Sequence, residues 1–276
     1  MQEKDKGLMI IIYIILILLA IFALAPLLLM VINSFKTRME ITMNPIGWPE
    51  VFRWGNYVEA WQDAALGTAL ANSMFISGLT IIITCFVAGM AAYILSRKAV
   101  RGWGIVTLYF LACTTIPIQL FIIPLFFIFQ KLGLVNSRLA LCFIYTALYT
   151  PFSMFLLRAY FVRVGTEVIE SARVDGATEW QIFTRIMLPL VSPGLLTVAL
   201  VVGLWTWNEF LLAVTFLKEP ATYTMAIRFY SFSGRYITEW GKMMAAAVII
   251  SIPMILLFIM LQRRFIEGMT SGGVKG

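Results

Sequence analysis

The sequence predicts an all-α integral membrane protein with six transmembrane helices, and three observations carry that reading. Apolar residues form 61% of the chain and charged residues 13%, with mean hydropathy +0.90, far from the roughly 25% charged usage of soluble domains. Six segments are long and apolar enough to span: about 8–33, 70–95, 104–129, 139–157, 193–216 and 243–261; each approaches or exceeds the roughly 20 residues that cross a bilayer as helix. Lys and Arg are also asymmetric across these segments. With the N-terminus inside, Lys4, Lys6, Arg97, Lys98, Arg101, Arg158, Arg163, Arg173, Arg185, Arg263, Arg264 and Lys275 share one side. The other side holds fewer, in two longer loops, so both termini are expected in the cytoplasm.

The first segment is too long for a signal-peptide core, and Pro26 and large residues stand where small residues would mark cleavage. An outer loop, 34–69, follows, with turn signals at Asn44-Pro45, Gly47 and Trp48-Pro49. The second segment carries Gly78, Ala88, Gly89, Ala91 and Ala92, small residues that let a neighbouring helix approach. A tight basic turn, SRKAVRG, leads to the third segment, where Pro117 and Pro124 predict kinks, as Pro253 does in the sixth. Gly133 and Asn136 mark a short outer turn before the fourth. The whole chain reads as one domain, 1–276, without internal repeats.

The net charge of +7 is accounted for by membrane orientation, and the basic residues form no aromatic-interleaved stripe, so no nucleic-acid partner is expected. Cys85, Cys113 and Cys142 each fall inside an apolar segment and read as small packing residues. There is no histidine, no phosphate-binding loop and no clustered nucleophile and base, so neither a catalytic residue nor a metal site is assigned. Glu209 is the one carboxylate within a predicted span. It lies roughly 24 Å along the helix from Pro193, which places it toward the outer interface. A self-sufficient secondary carrier or channel is the competing function, but it is hard to build with so few intramembrane charges. Energy is then expected from a partner.

The polar stretch 163–189, between the fourth and fifth segments, is where that partner would act. Val168, Ile169 and Ala172 share one face of a short helix, with Glu167, Glu170 and Arg173 opposite. Gly176 suits a left-handed helix end. Thr178 and Gln181 fit a capping box that starts a second helix carrying Trp180, Ile182, Phe183 and Ile186, with Trp180 and Phe183 as exposed anchors. Leu188-Pro189 is expected to end it, and Ser192-Pro193 to open the fifth span.

Glu170-Ser171-Ala172, three residues, Gly176, nine residues, then Ile186-x-Leu188-Pro189 resembles the EAA loop of permease subunits of binding-protein-dependent ATP-binding-cassette importers, with Ser171 replacing the middle alanine. NS at 72–73, AAYILSR at 91–97, FLLRAYF at 155–161, WNEFLLAV at 207–214 and the ending GMTSGGVKG are similar to MalG-like, carbohydrate-type permeases. The resemblance implies a type I importer permease fold in a bacterial or archaeal cytoplasmic membrane, with 163–189 as a coupling hairpin seated in an ATPase subunit.

Glu170, Ser171, Ala172, Asp175, Gly176, Ala177, Thr178, Glu179, Trp180, Ile186, Leu188 and Pro189 are the implied coupling residues, and Gly273, Val274 and Lys275 of the tail would approach the ATPase. Implied partners are a MalF-like second permease, two ATPase subunits that hold ATP and Mg, an extracytoplasmic solute-binding protein and membrane lipid. No cofactor is assigned to this chain. Gln119, Tyr149, Trp205, Asn208 and Glu209 are candidates for a sugar path, since sugar sites favour aromatics with a few polar groups. Arg228, Tyr230, Arg235 and Tyr236, in the loop 218–242, are candidates for touching the binding protein.

Overall fold

The computed structural model describes residues 2–235 and 239–270, excluding the side chains of 2–6, 233–235, 261 and 263–270. All its regular elements are helical. In chain order they are α1 (Gln2–Asn33), α2 (Arg38–Met43), α3 (Gly55–Asp63), α4 (Leu66–Ser96), α5 (Trp103–Thr115), α6 (Ile122–Lys131), α7 (Arg138–Phe161), α8 (Thr166–Val174), α9 (Glu179–Gln181), α10 (Leu188–Leu190), α11 (Ser192–Asn208), α12 (Leu211–Phe216), α13 (Met225–Arg235) and α14 (Trp240–Thr270). Short 3₁₀ turns occupy Ile118–Phe121 and Pro220–Thr222, and a π-helical turn joins α9 to α10. Among the described residues four helices are long and apolar enough to cross a membrane, or up to six if the bent pairs Trp103–Thr115 with Ile118–Lys131 and Glu179–Leu190 with Ser192–Asn208 are each one span.

The chain divides into two compact units. The first comprises Met1–Leu66 and Arg228–Pro253. In it, the apolar span of α1 is exposed over most of its length, up to Leu28, as a helix apolar on every side requires of a lipid or partner environment. The loop that follows is more structured than its turn signals suggested. Phe35 packs on Phe52, Trp54 and Tyr57, and Asn56 Nδ2 donates to the Ser34 and Lys36 carbonyls at 2.8 and 3.0 Å. The Lys36 stem is fully buried, and its Nζ donates to the Asn44 carbonyl.

The second unit, Gly67–Ile227 and Met254–Gly276, has a core built from α4, α7, α11 and the polar hairpin. Ala88 and Ala92 of α4 are fully buried, as are Met154, Leu157 and Phe161 of α7 and Val198 and Val202 of α11. Cys142 is buried, Cys85 and Cys113 are half-buried, and all three are free thiols.

The predicted third span is not one helix. α5 stops at Thr115, and the pieces on either side of Pro117 meet at 88°. Ile116 is extended, as the residue before a proline prefers, and Pro117 offers no N–H to continue the ladder. Pro124 causes no kink, because it sits in the first turn of α6, where its missing donor is not needed. Pro253 lies within the continuous α14. The fifth span breaks at Glu209, between α11 and α12.

Two side-chain clusters fix the loop after α12. Asn136, at φ +68°, accepts on Oδ1 from Lys218 N, Glu219 N and Thr222 Oγ1. Asn72 donates to the Ala221 and Tyr223 carbonyls while accepting from Arg138 at 2.7 Å, and Ser73 Oγ accepts from Met225 N.

Candidate functional site: a coupling hairpin and a capped break

The hairpin begins with α8, whose Ile169 and Ala172 are buried against the bundle. Glu167, Glu170 and Arg173 face solvent as expected, but Val168 is exposed as well, so the buried face is narrower than predicted. Ser171 is exposed and bonds back to the Val168 carbonyl. Gly176 turns the chain at φ +81°, with its N–H on the Arg173 carbonyl and Ala177 N on the Ala172 carbonyl. A Cβ there would meet nothing within 4 Å, so backbone conformation alone selects glycine. Thr178 and Gln181 form the complete capping box, with Thr178 N donating to Gln181 Oε1 at 2.8 Å and Gln181 N to Thr178 Oγ1 at 3.3 Å. Arg173 Nε donates to Glu179 Oε1 at 2.7 Å and closes the tip, and the guanidinium holds the Glu179 carboxyl below its ordinary range.

The tip therefore has a defined shape while presenting Val174 (87% exposed) and Trp180 (56%) to solvent beside Asp175, Thr178 and Glu179. Phe183 corrects the prediction. It is buried, 5.5 Å from the Tyr93 ring and 6.4 Å from Phe86, and Ile182 is wholly enclosed. Both serve as roots that hold the hairpin to the bundle, leaving Trp180 as the exposed aromatic anchor.

The second limb ends at Leu190, one residue past Leu188-Pro189, and the chain bends by 76° there into α11. Ile182–Met187 is a π turn, and helix continues through Leu190, with Val191 N on the Met187 carbonyl. A wider turn just before Pro189 relieves the clash a proline ring makes with the carbonyl four residues earlier, so the helix passes through it. Ile186 and Leu188 are half-buried and Pro189 is exposed. α11 starts at Ser192 with Val191 as its cap and Pro193 in the first turn, one residue earlier than predicted.

Four of the five candidate path residues come together at the break in the fifth span. Glu209 accepts from Tyr145 Oη at 2.6 Å, from Leu212 N at 2.9 Å and from Ala213 N at 3.0 Å. From the position before Phe210, the N-cap residue, its carboxylate satisfies two first-turn donors of α12 and a phenol. Tyr145 stacks on Tyr149 at 5.9 Å, Tyr149 meets Trp205 at 5.4 Å, and Trp205 meets Phe152 at 4.9 Å. Trp205 and Asn208 are exposed, and Asn208 Nδ2 bonds to the Leu204 carbonyl. Gln119 is separate, exposed on the 3₁₀ turn after Pro117. Tyr145 and Phe152, absent from the sequence-based set, belong to this cluster. Their three- and four-residue spacing around Tyr149 on one helix was the available signal.

The predicted outer loop 218–242 contains α13, which carries Arg228 half-buried and Tyr230 exposed and ends at Arg235. The Arg235 side chain, Tyr236 and the tail residues Gly273, Val274 and Lys275 lie outside the described residues.

Residues 86–271 match the family described as "Binding-protein-dependent transport system inner membrane component". The chain is 34% identical over 98% of its length, and 90% of the relative's, to the diacetylchitobiose uptake system permease protein NgcG of Streptomyces coelicolor. It is 32% identical over 95% of its length to the melibiose/raffinose/stachyose import permease protein MelC of Bacillus subtilis, covering 96% of that protein. The fold matches a chain in the crystal structure of a bacterial ABC transporter involved in import of the acidic polysaccharide alginate, with TM-score 0.79 at 22% identity, covering 95% of this chain and 98% of that one. The chain belongs to the binding-protein-dependent transport system inner membrane component family.

Proposed function

We propose that the chain is a translocating subunit of an ATP-driven importer of sugars, with oligosaccharides or related polyol and glycerol-phosphate-type solutes as cargo. The observation that carries the reading is the hairpin: a tip fixed by Gly176, the capping box and the Arg173–Glu179 pair, yet holding Val174 and Trp180 in solvent. A rigid tip with exposed apolar groups fits insertion into a protein cleft, and a partner ATPase holding ATP and Mg occupies that place. The buried roots Ile182 and Phe183 then carry its displacement into α4 and the bundle.

In this reading the chain forms one permease domain of six spans, with both termini in the cytoplasm of a bacterium or archaeon. It pairs with a second, MalF-like permease, two ATPase subunits and an external solute-binding protein. The sugar class rests on the uptake systems named for the relatives and on the ring series Tyr149, Trp205 and Phe152 beside Asn208.

The test is uptake of labelled oligosaccharides into vesicles holding the two permeases and the ATPase, with binding protein outside and ATP inside. Accumulation that needs both ATP and binding protein supports the reading. Equal flux from vesicles holding this chain alone, without ATP, would establish a carrier or channel instead.

A further inference from the structure

Where the hairpin meets the end of α4, a cavity of about 300 Å³ is lined by Met90, Tyr93, Ile94, Arg97, Ala99, Arg173, Glu179, Trp180 and Phe183. The coupling role uses the solvent-facing sides of Glu179 and Trp180, and the cavity behind them is unassigned. Its chemistry is two-ended.

One end is cationic. Arg97 Nη2 donates to the Phe161 and Val164 carbonyls at 3.2 and 3.0 Å, while its Nε is buried and has no partner. Neutral carbonyls leave the guanidinium charge uncompensated. Among the described residues, Lys98, Arg101, Arg158 and Arg163 of the surrounding turns also lack a carboxylate partner. Glu179 is the acidic group on the wall, and Arg173 already neutralises it.

The other end is apolar and opens along α4. Ile82, Phe86 and Ile94 are exposed and Met90 is half-buried, at four-residue spacing on one helix face. The stripe borders the cavity through Met90 and Ile94, while Phe86, one turn further along, packs edge-on against Trp180 with ring centroids 6.0 Å apart. The apolar helix α4 ends at Ser96, so the cationic groups cluster at its polar end and the stripe lies on its apolar length.

We propose that this cavity binds an anionic phospholipid of the cytoplasmic leaflet, with its phosphate on Arg97 and an acyl chain along Ile94, Met90 and Phe86. The bound lipid would brace the hairpin against the span. The site rests on the cytoplasmic placement of the hairpin given above. A phosphate on the cavity side of the guanidinium meets its unpaired charge, and basic pockets of this kind at the cytoplasmic face suit anionic headgroups.

The test uses the assembled transporter in vesicles of phosphatidylcholine doped with brominated phosphatidylglycerol or brominated phosphatidylcholine, reading the part of tryptophan quenching that Trp180→Phe removes. Expected is half-maximal quenching at about fivefold lower mole fraction of the anionic lipid, with the preference lost in Arg97→Gln. Because Arg97 also anchors two carbonyls, Ala99→Glu, which adds charge at an exposed rim, provides the second variant and should abolish the preference equally. Equal quenching by both lipids, or a preference that survives both substitutions, overturns the site. Absence of Trp180-dependent quenching with the ATPase bound also overturns it and assigns the cavity to the ATPase. ATPase retention is read in the same samples, so loss of lipid preference with the ATPase still bound leaves the coupling role standing.

Discussion

Gly176 separates backbone from contact at the hairpin tip. Its φ of +81° lies where an ordinary L-residue costs about 1–2 kcal/mol, while asparagine visits the region more readily. No atom lies within 4 Å of a Cβ built there, so steric terms within the chain vanish and the conformational cost stands alone. If docking needs this turn, a variant that populates it less binds its partner proportionally less tightly. Gly176→Ala is then expected to weaken ATPase binding about 5- to 30-fold, with Gly176→Asn falling between it and the parent. The assay is titration of purified ATPase onto immobilised permease, with thermal unfolding followed in parallel. Wild-type affinity in Gly176→Ala would refute the requirement for the turn. Equal loss in both variants would show that the added side chain strikes the partner, and that the conformational argument is wrong.

Tyr145→Phe removes one of three donors to Glu209 and should cost about 1 kcal/mol, whereas Glu209→Ala uncaps α12 and should cost about 3 kcal/mol, both read as loss of thermal stability in detergent. Gly194→Ala places a methyl group 2.7 Å from the Tyr160 ring and should cost about 1–3 kcal/mol of overpacking, with Tyr160→Leu in the same chain recovering most of the loss. Thr178→Ala breaks the capping box and should lose about 1 kcal/mol locally, seen as faster amide exchange across Glu179–Ile182 while the spans keep their protection. The Glu179 carboxyl is held down by Arg173, so its contribution is present above the ordinary carboxylate range and is lost as pH falls through the depressed value. Exchange at the tip, corrected for intrinsic rates, should stay flat from about pH 8 to 5 and rise only in more acid solution, and Glu179→Gln should remove that rise.

The hairpin was legible because its determinants are local: Gly176 and the Thr178–Gln181 box specify their turns within four residues. Four of the spans, α1, α4, α7 and α14, were legible from apolar length alone. The 88° break at Pro117 was not, because a proline marks where backbone bonds are lost without saying how far the pieces turn, which their packing decides. The partners of Glu209 were not legible for a similar reason: Tyr145, 64 residues away, and the amides of the following turn hold its carboxylate. Phe183 was read as an exposed anchor from its helical neighbourhood, and its burial depends on Tyr93 and Phe86 of a distant helix. The same holds for Asn72, which reaches carbonyls about 150 residues downstream.

The π turn at Ile182–Met187 gives the tip an angular phase. Between Trp180 and the end of the limb at Leu190 the chain carries one residue more than a plain α-helical path requires, and each residue of such a path rotates what precedes it by roughly 100°. Deleting one residue, Thr184 for instance, would restore regular winding and swing Trp180 about a quarter-turn around the limb without changing its chemistry. Permease and ATPase are in this sense indexed like meshed gears, and a partner cleft matched to this chain would be out of step with a homologue whose second limb winds as plain α-helix.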